Sequence, residues 1–227
     1  MVRPEGVLFD AGGTLVAVHT DRLAGALRDM GYDPRALDDA FWRTLVLLDS
    51  EFGPAAGQWH GWFEEWLRRF GRAAGVPEEA MITAWHAADG AQHLWDEPLP
   101  GAAECLTRLR EAGLRVGVVS NSDGRAAEGL ARAGLADLVE VIVDSTVVGV
   151  SKPDPAIFRH ALEPLGLRPE ATWYLGDTVV YDAAGADAAG LLSWVIDHRG
   201  LHVVDHPRRV SSLAEFADAV LAARAAA

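Results

Sequence analysis

Val7-Leu8-Phe9 is an unbroken apolar run that stops at Asp10, with Gly12-Gly13 just beyond. Such a run predicts a short buried strand closed by a tight loop. From 16 to 96 the rhythm changes. Apolar residues recur at three- and four-residue spacing, and Pro34, Pro54 and Pro77 stand near helix starts, which predicts a mostly helical stretch. Glu97-Pro98-Leu99-Pro100-Gly101 breaks the pattern and reads as a stiff hinge. Beyond it, helices over about 102–112, 124–133, 155–165 and 182–189 alternate with strands over about 115–119, 139–143, 172–175 and 191–196. A last helix over 212–225 takes Ser211 or Ser212 as its cap.

Alternating strands and helices predict an α/β fold, a Rossmann-like parallel sheet with helices on both faces. Ligands of such sheets bind outside the carboxyl ends of the strands. Those ends carry Asp10, Ser120-Asn121, Asp144 and Asp177. A carboxylate at Asp10 suits attack on an electrophile such as phosphorus, and equally a turn before glycines. Asp177 and Asp182 add oxygens of the kind Mg²⁺ takes, although Asp182 would also serve as a helix-opening charge. Ser120 and Asn121 offer donors for phosphoryl oxygens, or an ordinary turn.

Composition sharpens one residue. Of 20 lysines and arginines only Lys152 is lysine, in a loop stiffened by Pro153 and Pro155. A compact ammonium is not replaced by a guanidinium fork, so this position reads as chosen rather than as a solvated surface charge. Asn121, the only asparagine, carries a weaker form of the same argument. The net charge of −13 and the lack of a basic run argue against nucleic acid or an anionic membrane as partner. The single Cys105 excludes an intrachain disulfide, and no apolar stretch reaches membrane-spanning length. MVRPEG shows no signal-peptide pattern, so the expectation is a cytoplasmic enzyme, monomer or homodimer, acting on a small molecule.

Four segments in order resemble the haloacid dehalogenase superfamily: Phe9-Asp10-Ala11-Gly12-Gly13-Thr14-Leu15, Val119-Ser120-Asn121, Lys152-Pro153-Asp154-Pro155, and Gly176-Asp177-Thr178-Val179-Val180-Tyr181-Asp182. The resemblance implies an α/β core of residues 1–15 and 98–227 with an α-helical cap, 16–97, inserted after the first strand. It implies Asp10 as nucleophile and Mg²⁺ ligand, a metal contact from the Gly12 carbonyl, and metal ligation or support from Asp177 and Asp182. It gives Ser120, Asn121 and Lys152 to the phosphoryl group, with Lys152 also restraining Asp10. The implied activity is a Mg²⁺-dependent phosphatase of a small phosphorylated metabolite.

One departure matters. Family phosphatases carry a second Asp where this chain has Gly12, and a positioned acid/base is worth about 10²–10⁴-fold. His19, His60, His86 and His93 are candidate substitutes, each equally readable as an ordinary histidine. The 2-haloacid dehalogenases also lack that Asp, but they use no Mg²⁺ and lack the Gly-Asp pair seen here at 176–177. Phosphonoacetaldehyde hydrolase needs a cap lysine, and residues 16–96 contain none. A dehalogenase and a catalytically weakened binding module stay as alternatives. Six tryptophans fall in the cap, with Trp59, Trp62 and Trp66 on one helical face; they read as bundle core or as pocket lining. Arg22, Arg43, Arg68, Arg69 and Arg72 are candidate contacts for an anionic substrate group.

Overall fold

The computed structural model describes residues 2–34, 36–49 and 59–226, with side chains from Phe63 onward in the last stretch. Pro54 and the side chains of Trp59, His60 and Trp62 therefore lie outside the described residues.

The strands are β1 (Gly6–Phe9), β2 (Val16–Val18), β3 (Trp95–Pro98), β4 (Arg115–Ser120), β5 (Val141–Asp144), β6 (Thr172–Gly176), β7 (Leu192–Ile196) and β8 (Arg209–Val210). The helices are α1 (Thr20–Asp29), α2 (Leu37–Leu45), α3 (Trp59–Ala73), α4 (Glu78–Ala91), α5 (Ala102–Glu111), α6 (Ala126–Arg132), α7 (Ser145–Val148), α8 (Ala156–Leu165), α9 (Ala184–Ala188) and α10 (Leu213–Ala226).

Six strands make one parallel sheet in the order β5-β4-β1-β6-β7-β8. β1 lies at its centre and is buried at every position, as the unbroken apolar run requires. Pleating divides its side chains. Val7 and Phe9 join the core under α5 and α10, where Phe9 meets Phe216 edge to face at 5.6 Å. Leu8 joins the opposite layer with Phe158 and Leu162 of α8. Truncating Phe9 to Ala would cost about 3–5 kcal/mol. Ser212 accepts from the Glu215 amide while Glu215 reaches back to the Ser211 amide, a capping box that starts α10.

Between β1 and β4 the chain builds a helical insert in which α3 packs on α4, α1 on α4 and α2 on α3. Its base is not helical. β2 and β3 pair antiparallel, Val16 opposite Pro98 and Val18 opposite Trp95. Periodicity missed this ribbon because three- and four-residue strands are too short to show a period of two, and Pro98 reads as a breaker. The sequence also did not predict α7 or β8, and a further difference lies where one helix was expected over about 182–189. The expected single helix starts as a π-turn, Val179–Ala183, and only then continues as α9.

Candidate active site

The carboxyl ends of β1, β4 and β6 deliver Asp10, Ser120 and Asp177 to one mouth of the sheet. A cavity of about 450 Å³ opens there, and Asp10, Gly12, Ser120, Asn121, Lys152, Asp177 and Asp182 all line it. The seven positions singled out in the sequence are thus neighbours, although up to 172 positions separate them along the chain (Asp10 to Asp182).

Lys152 is not a solvated lysine; it is 4% exposed. Its Nζ has four oxygens within hydrogen-bond distance for its three N–H donors: Asp10 Oδ1 at 2.5 Å, Asp182 Oδ1 at 2.7 Å, the Val119 carbonyl at 3.0 Å and Tyr174 Oη at 3.1 Å. Burial alone would strip its proton, but the Asp10 and Asp182 charges outweigh burial and hold its pKa above the usual lysine value. Asn121 fixes the loop that presents it. The Asn121 amide donates to the Lys152 carbonyl at 3.0 Å, and the Lys152 amide donates to Asn121 Oδ1 at 2.8 Å. The side chain expected to meet a phosphoryl group thus also braces Lys152's backbone while lining the cavity, and the chain's single asparagine and single lysine form one unit.

The carboxylates divide by environment. Burial pushes Asp10 up to about 6 against the pull of Lys152. Burial works against Asp182 as well, but Lys152 and donors from Thr178 and Tyr174 keep it below the usual range. Thr178 supplies its amide at 3.0 Å and its hydroxyl at 2.6 Å; Tyr174 Oη donates at 2.7 Å. Asp182 also donates its amide to Thr178 Oγ1, so the helix-opening alternative is realised reciprocally, with Thr178 as cap. Asp177 feels the Lys152 charge too, but only as the smallest influence on it. Burial, then Asp182 and Asp10, push it well above the usual carboxylate value. Candidate ligand atoms of Asp10, Asp177 and Asp182 lie within 4.8 Å of one another.

The two glycines after Asp10 do different work. Gly13 has φ +80°, and a Cβ there would lie 2.6 Å from Asp177 Oδ2, so both conformation and space demand glycine. Gly12 is outside the left-handed region; a Cβ there would meet the Trp95 indole at 3.0 Å.

Several residues of the site escaped the sequence reading. Asp49, buried in the insert, accepts from the Val179 and Val180 amides at 2.8 Å each, and so caps the turn that carries Asp182. Its signal was a lone carboxylate closing the apolar run 45–48. Tyr174 sits in a fully buried strand, where a phenol must find partners. Of the four histidines, His86 and His93 line the cavity, His93 with Nδ1 3.2 Å from Asp89 Oδ1; His19 pairs with Glu97 at 3.3 Å. The five arginines proposed for an anionic group engage Asp96, Asp39, Glu79, Glu65 and Glu78, and none lines the cavity. Arg125 lines it instead, tied to Asp89 of α4 and to Asp123. No helix among the described residues is long and apolar enough to cross a membrane.

A family-wide profile described as haloacid dehalogenase-like hydrolase matches residues 4–190. A glyceraldehyde 3-phosphate phosphatase of Methanopyrus kandleri is 30% identical over 93% of this chain and 91% of its own length. Haloacid dehalogenase-like hydrolase domain-containing protein 3 of Mus musculus is 34% identical over 63% of this chain, a match that spans 57% of the mouse protein. Among solved structures, the putative HAD-hydrolase YfnB from Bacillus subtilis superposes with a TM-score of 0.68 at 18% identity, covering 96% of this chain and 99% of that one.

Proposed function

The chain belongs to the haloacid dehalogenase-like hydrolases, and on that premise we propose that it is a Mg²⁺-dependent phosphatase of a small phosphorylated molecule, working through a phosphorylated Asp10. The observation that carries this reading is the buried group of Asp10, Asp177 and Asp182 around Lys152. Lys152 compensates Asp10 and Asp182 directly. Three buried carboxylates share one ammonium, an excess of acidic groups that a hard divalent cation would relieve. The donor set fits Mg²⁺: Asp10, Asp177 and the Gly12 carbonyl would hold it, with Asp182 in support. Bound there, it would neutralise charge on the phosphoryl oxygens.

The chain's own residues do the rest. Lys152 pins one oxygen of Asp10, which leaves the other free to attack phosphorus. Lys152 and Ser120 would receive the phosphoryl oxygens, while Asn121 holds Lys152 in place. We take residues 1–15 with 98–227 as the core and 16–97 as a cap that closes the cavity. The similarity to a glyceraldehyde 3-phosphate phosphatase over nearly the whole chain supports phosphate esters over haloacids as substrates, and three clustered buried carboxylates suit a metal-dependent site.

A panel of phosphate esters and haloacids, each with Mg²⁺ and with EDTA, tests this. Phosphate release that needs Mg²⁺ and disappears in a folded Asp10→Asn variant is expected. Halide release insensitive to EDTA would select the dehalogenase; no turnover, with ligand binding independent of Asp10, would select the binding module.

A further inference from the structure

Trp95 stands where the side chain of residue 12 would be. A Cβ on Gly12 would lie 3.0 Å from Trp95 Cζ3 and 3.1 Å from Cε3. The backbone of Gly12 places no demand for glycine, since the positive φ belongs to Gly13. What glycine provides at position 12 is room for the indole. Trp95 comes from β3, on the far side of the insert in sequence, and the β2–β3 pairing holds it over the nucleophile loop. A polar position near Asp10 has in effect been exchanged for an aromatic surface.

That surface is extended. Trp66 lies against Trp95 at 6.3 Å and 28°, and Trp85 lies at 6.5 Å and 64°. Phe63 stacks on Trp66 at 5.7 Å and 20°. All four line the cavity that also holds Asp10 and Lys152. Trp95 and Phe63 are only half-buried, so ring surface remains for a ligand. A flat aromatic ring laid on these rings gains offset or edge contacts beyond its area of burial.

We propose that Trp95, given its place by Gly12, is a specificity-determining residue that selects phosphomonoesters of phenols. The inference rests on the phosphatase reading and names its substrate class. The chemistry agrees with the contact surface. An Asp10 oxygen bonds to phosphorus as the bond from phosphorus to the aryl oxygen breaks. The aryl oxygen leaves with the electron pair as a phenolate, which tolerates that charge without a proton donor at position 12. A water oxygen then bonds to phosphorus as the bond from phosphorus to the Asp10 oxygen breaks; the electron pair returns to Asp10 as carboxylate, and the water's protons leave with the released phosphate or pass to solvent.

Binding and turnover separate the two readings. With Mg²⁺ present, calorimetry compares benzylphosphonate with propylphosphonate, neither of which can be hydrolysed. The aromatic ligand should bind about tenfold more tightly, the equivalent of one good ring contact. Trp95→Leu should erase that preference and Trp95→Phe should keep most of it, with thermal unfolding confirming that both are folded. In turnover, a series of aryl and alkyl phosphates should show kcat/KM falling steeply as the leaving group becomes more basic. Gly12→Asp alone should gain little, because Trp95 fills the space. Gly12→Asp with Trp95→Ala should flatten the dependence and raise alkyl-ester turnover by about 10²-fold. Equal binding of the two phosphonates, or alkyl esters turned over as well as aryl esters, overturns the aromatic class and leaves a phosphatase. A ring preference that depends on Trp95, with no phosphate ester hydrolysed, keeps the aromatic site and overturns the phosphatase.

Discussion

At the Asp10 end of the cavity Lys152 and Asp182 are held by a set of directed polar contacts. Lys152 has four partners, Asp182 takes bonds from Lys152, Tyr174 and Thr178, and Asn121 braces the Lys152 loop. At the other end the Trp66, Trp85 and Trp95 rings hold one another through contacts that have no single required geometry. The first wall is a network in which each member fixes the protonation of the next; the second is a packed surface. A network fails at any member, because a buried charge left alone is costly. A packed surface gives way gradually and can be reshaped to another ligand. The charged wall therefore suits chemistry and the aromatic wall suits selection.

Lys152→Arg attacks the network hardest. The guanidinium keeps the charge but cannot fit four partners around a point, so kcat should fall by about 10²-fold or more. Stability should change little, read by thermal unfolding. Wild-type turnover in Lys152→Arg would mean that the network is scenery and the comparison is false.

Asp49→Asn probes the join between the walls, since Asp49 belongs to the insert yet holds the Val179 and Val180 amides. The two amides bond to different oxygens of Asp49, and an asparagine keeps only one of them as an acceptor, so one of the two bonds is lost. About 1 kcal/mol of positioning lost should weaken Mg²⁺ binding roughly fivefold, measured by titration calorimetry. Unchanged Mg²⁺ affinity would confine the network to the core strands.

Asp89 gives the smallest effect and concerns the hold of the insert on the core. Burial would raise its carboxyl, but hydrogen bonds from His93 and Arg125 outweigh burial and hold it well below the usual range. A carboxyl depressed by folding contributes stability that is complete above its unfolded value, near 4, and is lost as pH falls through its folded value. At pH 7, Asp89→Asn should lower Tm by about 2–4 °C. Because the folded carboxyl titrates well below 4, the gap should persist at pH 4 and narrow only under stronger acid. A gap that closed by pH 5 would show that the depressed carboxyl is not what ties the insert down.

The parallel sheet was legible in the sequence. A run such as Val7-Leu8-Phe9 has nowhere to go but the middle of a sheet, and repeated strand-then-helix patterning permits few topologies. The candidate site was legible for the same reason. Strand ends in such a sheet converge, so Asp10, Ser120 and Asp177 could be placed together before any contact was known, and a single lysine in an arginine-rich chain marked Lys152. What pairs with what was not legible. That Asn121 braces Lys152, that Asp49 caps the turn before Asp182, and that Trp95 fills the space beside Gly12 are contacts between residues 31, 130–131 and 83 positions apart. Local propensity carries no information about such distances. The β2–β3 ribbon and the packing of the insert set them, so the sequence determined which chemistry is present, while tertiary structure decided which surface faces it.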